Sequence, residues 1–240
     1  MHIVEKMSIK EHDNLNHGGV TIAFLGDSVT QGCFEIYKKS NGGLETVYDQ
    51  QNSYEAGVWR ILSTLYPSCT VNIINAGING DTAAGGLNRL ERDVLRHDPD
   101  LCIVCYGLND CSPLEGGIER YTLSLRSIFK KIRESGSEII FMTPNMMNIY
   151  VSPHITDPDF IDIAARVAEK QNSGLFDSYI ESARKLCREL NIKVCDCYAI
   201  WKKLYGNGVD TTELLSNKIN HPTREMNKLF SYELVRSMMM

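Results

Sequence analysis

Val20-Thr21-Ile22-Ala23-Phe24-Leu25 runs directly into Gly26-Asp27-Ser28. Six apolar or β-branched residues closed by a glycine and two small polar residues read as a buried strand followed by a turn. The arrangement recurs along the chain. Residues 70–75 read as a second strand, ending in Ala76-Gly77-Ile78-Asn79-Gly80-Asp81-Thr82, and 101–106 as a third, ending in Gly107-Leu108-Asn109-Asp110. Residues 138–143 are a fourth, stopped by Pro144, and 192–197 a fifth. Helical spacing fills the intervals: 53–65, with Val58, Ile61, Leu62 and Leu65 on one face, then 83–96, 118–133, 176–190 and a short 198–205. The last helix is expected over 222–235, with Pro222 at its first helical position. Residues 37–52, which carry Asn41-Gly42-Gly43, read as a loop, and 145–159, with Pro153 and Pro158, as an irregular segment bordering the site. Strands alternating with helices predict an α/β fold, a parallel sheet covered on both faces. Ligands bind such sheets beyond the carboxyl ends of the strands.

The bulk numbers agree with one globular unit. The 240 residues are 43% hydrophobic, with no internal repeat and no linker dividing them. A single domain is expected over 20–240, preceded by a polar N-terminal extension, 1–19, of mixed charge. The net charge of −5 and the absence of a basic stripe argue against nucleic-acid binding. No stretch resembles a signal peptide or a membrane span, so a cytoplasmic location is expected. Of eight cysteines, Cys102 and Cys105 lie inside a predicted strand without a second ligand pair, so they read as buried thiols rather than metal ligands.

Three strand ends carry the small and polar groups, and the sheet brings them to one edge. Ser28 is a candidate nucleophile, which needs a base to take its proton. His221, in Asn220-His221-Pro222, is a candidate base. With the unperturbed imidazole pKa near 6.5, the rate is expected to rise between pH 5 and 8. The Gly80 N–H and the Asn109 amide are candidate oxyanion donors. Taken singly each has an ordinary explanation: a cap for Ser28, a surface position for His221, a tight turn for Gly80, an Asx turn for Asn109.

Together and in order, the blocks from Phe24 to Ser28, Asn75 to Thr82, Gly107 to Asp110 and Asn220 to Pro222 resemble those of the SGNH (GDSL-type) hydrolases. The resemblance implies a flavodoxin-like three-layer α/β/α sandwich with a five-stranded, mainly parallel sheet. It implies Ser28 as nucleophile, His221 as general base, and an oxyanion hole from the Ser28 and Gly80 N–H groups and the Asn109 side chain. It also implies hydrolysis of esters or thioesters of lipids, acyl groups or acetylated sugars, without metal or cofactor. One position departs from the pattern. Where the family has an aspartate three residues before the histidine, this chain has Lys218. Three readings are open: a backbone carbonyl or Asn217 orients the ring, Asp210 or Asp196 reaches in from elsewhere, or activity is reduced. The expected substrate is a small-molecule ester with a small acyl group, such as an acetylated carbohydrate. The alternative is a non-catalytic or weakly active small-ligand or carbohydrate binder on the same fold. A phosphate-binding reading finds no G-x-x-x-x-G-K-[ST] to support it.

Overall fold

The computed structural model describes residues 1–112 and 114–240. Seven strands are present among them: β1 (Val20–Gly26), β2 (Cys33–Lys38), β3 (Leu44–Tyr48), β4 (Val71–Gly77), β5 (Leu101–Cys105), β6 (Glu138–Met142) and β7 (Lys193–Cys195). Nine α-helices accompany them: α1 (His2–His12), α2 (Ser28–Gln31), α3 (Tyr54–Leu65), α4 (Ala83–Asp93), α5 (Gly117–Glu134), α6 (Pro158–Asn172), α7 (Leu175–Leu190), α8 (Cys197–Gly206) and α9 (Arg224–Met239).

Five strands form one parallel sheet in the order β4-β1-β5-β6-β7. The central strands β1 and β5 are buried along nearly their whole length, which is why both read as continuous apolar runs. Helix α9 packs on α3 and on α1, while α5 packs on α4 and on α7, giving a helical layer on each face of the sheet. The register matters for function. Gly26 stands level with Gly77 of β4 on one side and Cys105 of β5 on the other. The turns after β1, β4 and β5 therefore leave the sheet at the same edge. The chain passes from β1 outward to β4 and then back across to β5. The crevice between β1 and β5 is thus the topological switch point, where ligands bind in open sheets of this order.

Several elements differ from the sequence expectation. Residues 37–52 are not a plain loop: β2 and β3 form an antiparallel hairpin, and Asn41-Gly42-Gly43 is its turn. The segment read as irregular, 145–159, has no helix or strand as far as residue 157, but at Pro158 it enters α6, which runs on to Asn172 through residues for which no element was expected. Pro158 opens the helix and Asp157 caps it, accepting from the Asp159 N–H at 2.9 Å. Proline is tolerated at that position because its missing N–H has no intrahelical partner there anyway. Helix α9 starts at Arg224, capped by Thr223, two residues later than Pro222 suggested. Near the N-terminus, α1 turns Ile3 and Met7 into the core. All eight cysteines are unpaired and buried, Cys102 and Cys105 among them. No helix among the described residues is long and apolar enough to cross a membrane.

Candidate active site

The turn after β1 is built by its own residues. Asp27 accepts the Val29 N–H at 3.0 Å and so starts α2 with Ser28 at its first position. Gly77, at the end of β4, lies against this turn: a Cβ there would stand 2.2 Å from the Gln31 nitrogen. The serine is only 3% exposed. Among the described residues its N–H has no protein acceptor, and neither has that of Gly80.

His221 arrives from a loop that Asn217 holds shut. The Asn217 Oδ1 accepts three backbone N–H groups, from Ile219 at 3.0 Å, Asn220 at 2.9 Å and His221 at 3.0 Å. Its Nδ2 donates to the Asn220 side chain at 2.9 Å. The imidazole Nε2 lies 2.9 Å from the Ser28 Oγ, and its Nδ1 lies 2.9 Å from the Phe34 carbonyl oxygen. A carbonyl can only accept, so Nδ1 carries the proton and Nε2 is left to accept from the serine hydroxyl. Burial pushes the imidazole down from 6.5 to about 4, opposed by the Phe34 carbonyl and by the nearby Glu35 carboxylate.

The ring's partner is therefore neither Asn217 nor Asp210. Asn217 works on the loop backbone. Asp210 accepts from the Tyr150 hydroxyl at 2.7 Å and from backbone N–H groups of Thr212 and Glu213. Asp196 caps α8 and pairs with Arg184. Lys218, at the departing position, has a left-handed backbone with φ of 58° and points its ammonium at Glu213, 2.8 Å away.

Asn109 and Gly80 leave the sheet beside the serine turn. Asn109 donates one side-chain N–H to the Asp81 carbonyl at 2.9 Å, which leaves its second N–H to the cleft that it lines. Gly80 has φ of 78°, a conformation in which glycine carries no Cβ penalty. Beneath them the buried Arg89 guanidinium donates to the Gly26 and Ala76 carbonyls, at 3.0 and 2.6 Å, and to the Asp81 carboxylate at 2.7 Å. One side chain thus ties the ends of β1 and β4 to the loop that carries Gly80. Asp27 and Asp110 lie under the same edge. Burial raises Asp27 to about 7, helped by repulsion from Asp110 and Asp81, and raises Asp110 to about 6, helped by repulsion from Asp81.

A cleft of about 730 Å³ opens over these groups, lined by Ser28, Asn79, Asn109 and His221. Its outer walls come from the elements missed in the sequence. The hairpin contributes Ile36, Tyr37 and Leu44, α6 contributes Phe160, Ile163 and Val167, and His154 joins from the preceding loop. Lys38 bridges the two walls, donating to Asp159 at 2.6 Å with Asp157 at 3.4 Å. The spacing of 160, 163 and 167 is the helical signal that could have revealed α6 beyond Pro158; the Phe34 carbonyl left no side-chain signal. Among the described residues no cluster of three or more His, Cys, Asp or Glu side chains is arranged to hold a metal ion.

Comparison with known proteins completes the description. Residues 24–229 match the model of the GDSL-like lipase/acylhydrolase family. An acetylxylan esterase of Geobacillus stearothermophilus is 26% identical over 175 residues, which cover 67% of this chain and 76% of that protein. An arylesterase of Vibrio mimicus is 33% identical over 115 residues, covering 46% and 54%. The crystal structure of an acetylxylan esterase from Geobacillus stearothermophilus superposes with a TM-score of 0.66 at 21% identity, over 93% of this chain and 95% of that one.

Proposed function

This chain belongs to the GDSL-like lipase/acylhydrolase family and is a carboxylic ester hydrolase; from that premise we propose that it cleaves small acyl esters through an acyl-Ser28 intermediate. The observation that carries the reading is the 2.9 Å contact between His221 Nε2 and Ser28 Oγ, in a ring whose other nitrogen is committed to a carbonyl. The serine oxygen attacks the ester carbonyl carbon while Nε2 takes its proton. The resulting oxyanion is met by the Ser28 and Gly80 N–H groups and the free N–H of Asn109. Collapse expels the alcohol, which takes the proton back from His221. Water, deprotonated by the same nitrogen, then releases the acid and restores the serine. The cycle uses no metal or cofactor. With no carboxylate on Nδ1, the imidazolium gains less stabilisation than in a triad, but its tautomer is the productive one.

Acetyl esters of carbohydrates are the proposed substrates. The acetylxylan esterase of Geobacillus stearothermophilus to which the chain is similar, and the asparagines Asn79, Asn109 and Asn217 that line the cleft, support this. A cytoplasmic setting accords with eight unpaired thiols.

A fluorophosphonate probe and a nitrophenyl ester series from acetyl to decanoyl test the reading. Labelling is expected in the wild type and lost in Ser28→Ala, with turnover falling steeply as the acyl chain lengthens. Labelling that survives in Ser28→Ala rules out this nucleophile, and a preference for decanoyl rules out the small-acyl assignment.

A further inference from the structure

The carbonyl that holds His221 sits at an irregularity in the hairpin. Cys33 pairs with Tyr48 and Ile36 with Thr46, and the register shifts between them, at Phe34 and Glu35. A bulge leaves a residue unpaired on its strand and re-aims it. Here it frees the Phe34 carbonyl for the imidazole. Such a carbonyl is useful only if the bulge stays still.

Arg224 is placed to keep it so. Its Nη1 donates to Glu35 Oε1 at 2.7 Å and its Nη2 to Oε2 at 3.3 Å, a two-pronged grip. Its Nε donates to Asp49 Oδ2 at 2.7 Å, just beyond β3. Its guanidinium carbon lies 4.3 Å from the centre of the Phe34 ring. One side chain therefore holds both strands of the hairpin and the ring of the residue whose carbonyl faces His221. Arg224 is also the first residue of α9, three positions after His221. A cation at a helix N-terminus opposes the helix dipole, so helix formation alone does not favour arginine there.

We propose that Arg224 is a positioning residue for catalysis: with Glu35 and Asp49 it fixes the bulged Phe34 carbonyl that holds the His221 ring, replacing the carboxylate that position 218 lacks. The proposal rests on the reading of Ser28 and His221 as nucleophile and base. The cluster carries one positive and two negative charges, leaving one net negative charge on the Nδ1 side of the ring. The charged groups on the surrounding elements are Glu35 from β2, Asp49 after β3 and Arg224 from α9. Lys218 in the histidine's own loop is neutralised by Glu213, and the buried Asp27 lies next to the serine.

Three variants separate geometry from charge, read by kcat, KM and the acid limb of kcat/KM, with folding checked by circular dichroism. Arg224→Gln is expected to lower kcat about 10- to 100-fold with KM within about threefold, the scale of a small misplacement of reacting groups. Its acid limb moves to higher pH, because two carboxylates then face the ring without their cation. Glu35→Gln, which keeps a hydrogen-bond acceptor for Arg224, moves the limb to lower pH. Arg224→Lys returns the limb towards the wild-type position but not kcat, since an ammonium restores the charge without the fork or the stacking. A kcat within threefold of wild type in Arg224→Gln, or a limb that stays fixed in both Arg224→Gln and Glu35→Gln, overturns the proposal. Ser28→Ala and His221→Ala run alongside: full turnover in either removes the underlying nucleophile and base, whereas inactivity there with a normal Arg224→Gln removes only the clamp.

Discussion

At His221, exclusion of water decides when the proposed base is available. Burial holds the imidazole at about 4, so it is neutral from pH 5 to 8. The acid limb of kcat/KM is therefore expected near pH 4, with a plateau above pH 5. This replaces the rise between pH 5 and 8 expected of a solvated imidazole; a limb centred near 6.5 in a pH-rate profile would mean that the ring is hydrated in solution. Asn109 belongs to the same scale. Asn109→Ala removes one pre-placed donor and is expected to lower kcat about 10²- to 10³-fold with little change in KM, measured on acetyl ester. Ser28, Gly80, Asn109 and His221 stood out in the sequence as candidates because each would supply its proposed chemistry through residue type or through a glycine's backbone freedom. The partner of Nδ1 was not, because any residue can supply a carbonyl. Only the departure at Lys218 signalled that something else had to stand there.

Among the elements, the serine turn depends on how closely β4 approaches it. Gly77 gives that approach: a Cβ would meet the Gln31 nitrogen at 2.2 Å and the Thr30 carbonyl carbon at 2.6 Å, both main-chain atoms that cannot swing aside. Gly77→Ala is expected to cost about 1–3 kcal/mol of stability, the usual scale of overpacking, and to depress fluorophosphonate labelling out of proportion to the folded fraction. Labelling equal to wild type per folded molecule would show that the turn accommodates the methyl group. Strands β1, β5 and β6 were legible because burial on both faces makes them nearly continuous apolar runs, whereas β4 and β7 at the sheet edges are only partly buried. The hairpin was not: β3 exposes Leu44, Glu45 and Tyr48, and its mixed polarity resembles a loop. Helix α6 was hidden by Pro158, whose role as a first helical residue looks the same in sequence as a break. In α1 the buried apolar residues, Ile3 and Met7, are too few to give an apolar stripe, and the third buried residue is Lys10.

For the whole molecule, buried titrating groups set how stability depends on pH. Asp27, Glu55 and Asp110 are raised by burial to about 7, 7 and 6, above their unfolded values. The folded state therefore holds their protons more tightly, and the stability they contribute is lost as pH rises from about 4 to 7. His221 acts oppositely, since its folded value lies below 6.5 and the unfolded chain takes up its proton first as pH falls. Three groups outweigh one, so Tm is expected to be several degrees higher at pH 5 than at pH 7.5, at roughly 2–4 °C per kcal/mol for a chain of this size. Scanning calorimetry at the two values checks this, and Asp27→Asn should flatten the difference. The enclosure of all eight cysteines has a separate, practical consequence. Ellman's reagent should modify the native protein slowly, with release of chromophore tracking unfolding. A ninth thiol introduced at an exposed hairpin position such as Lys39 would then be the fast-reacting handle, so a maleimide dye could report on the hairpin without a cysteine-free background.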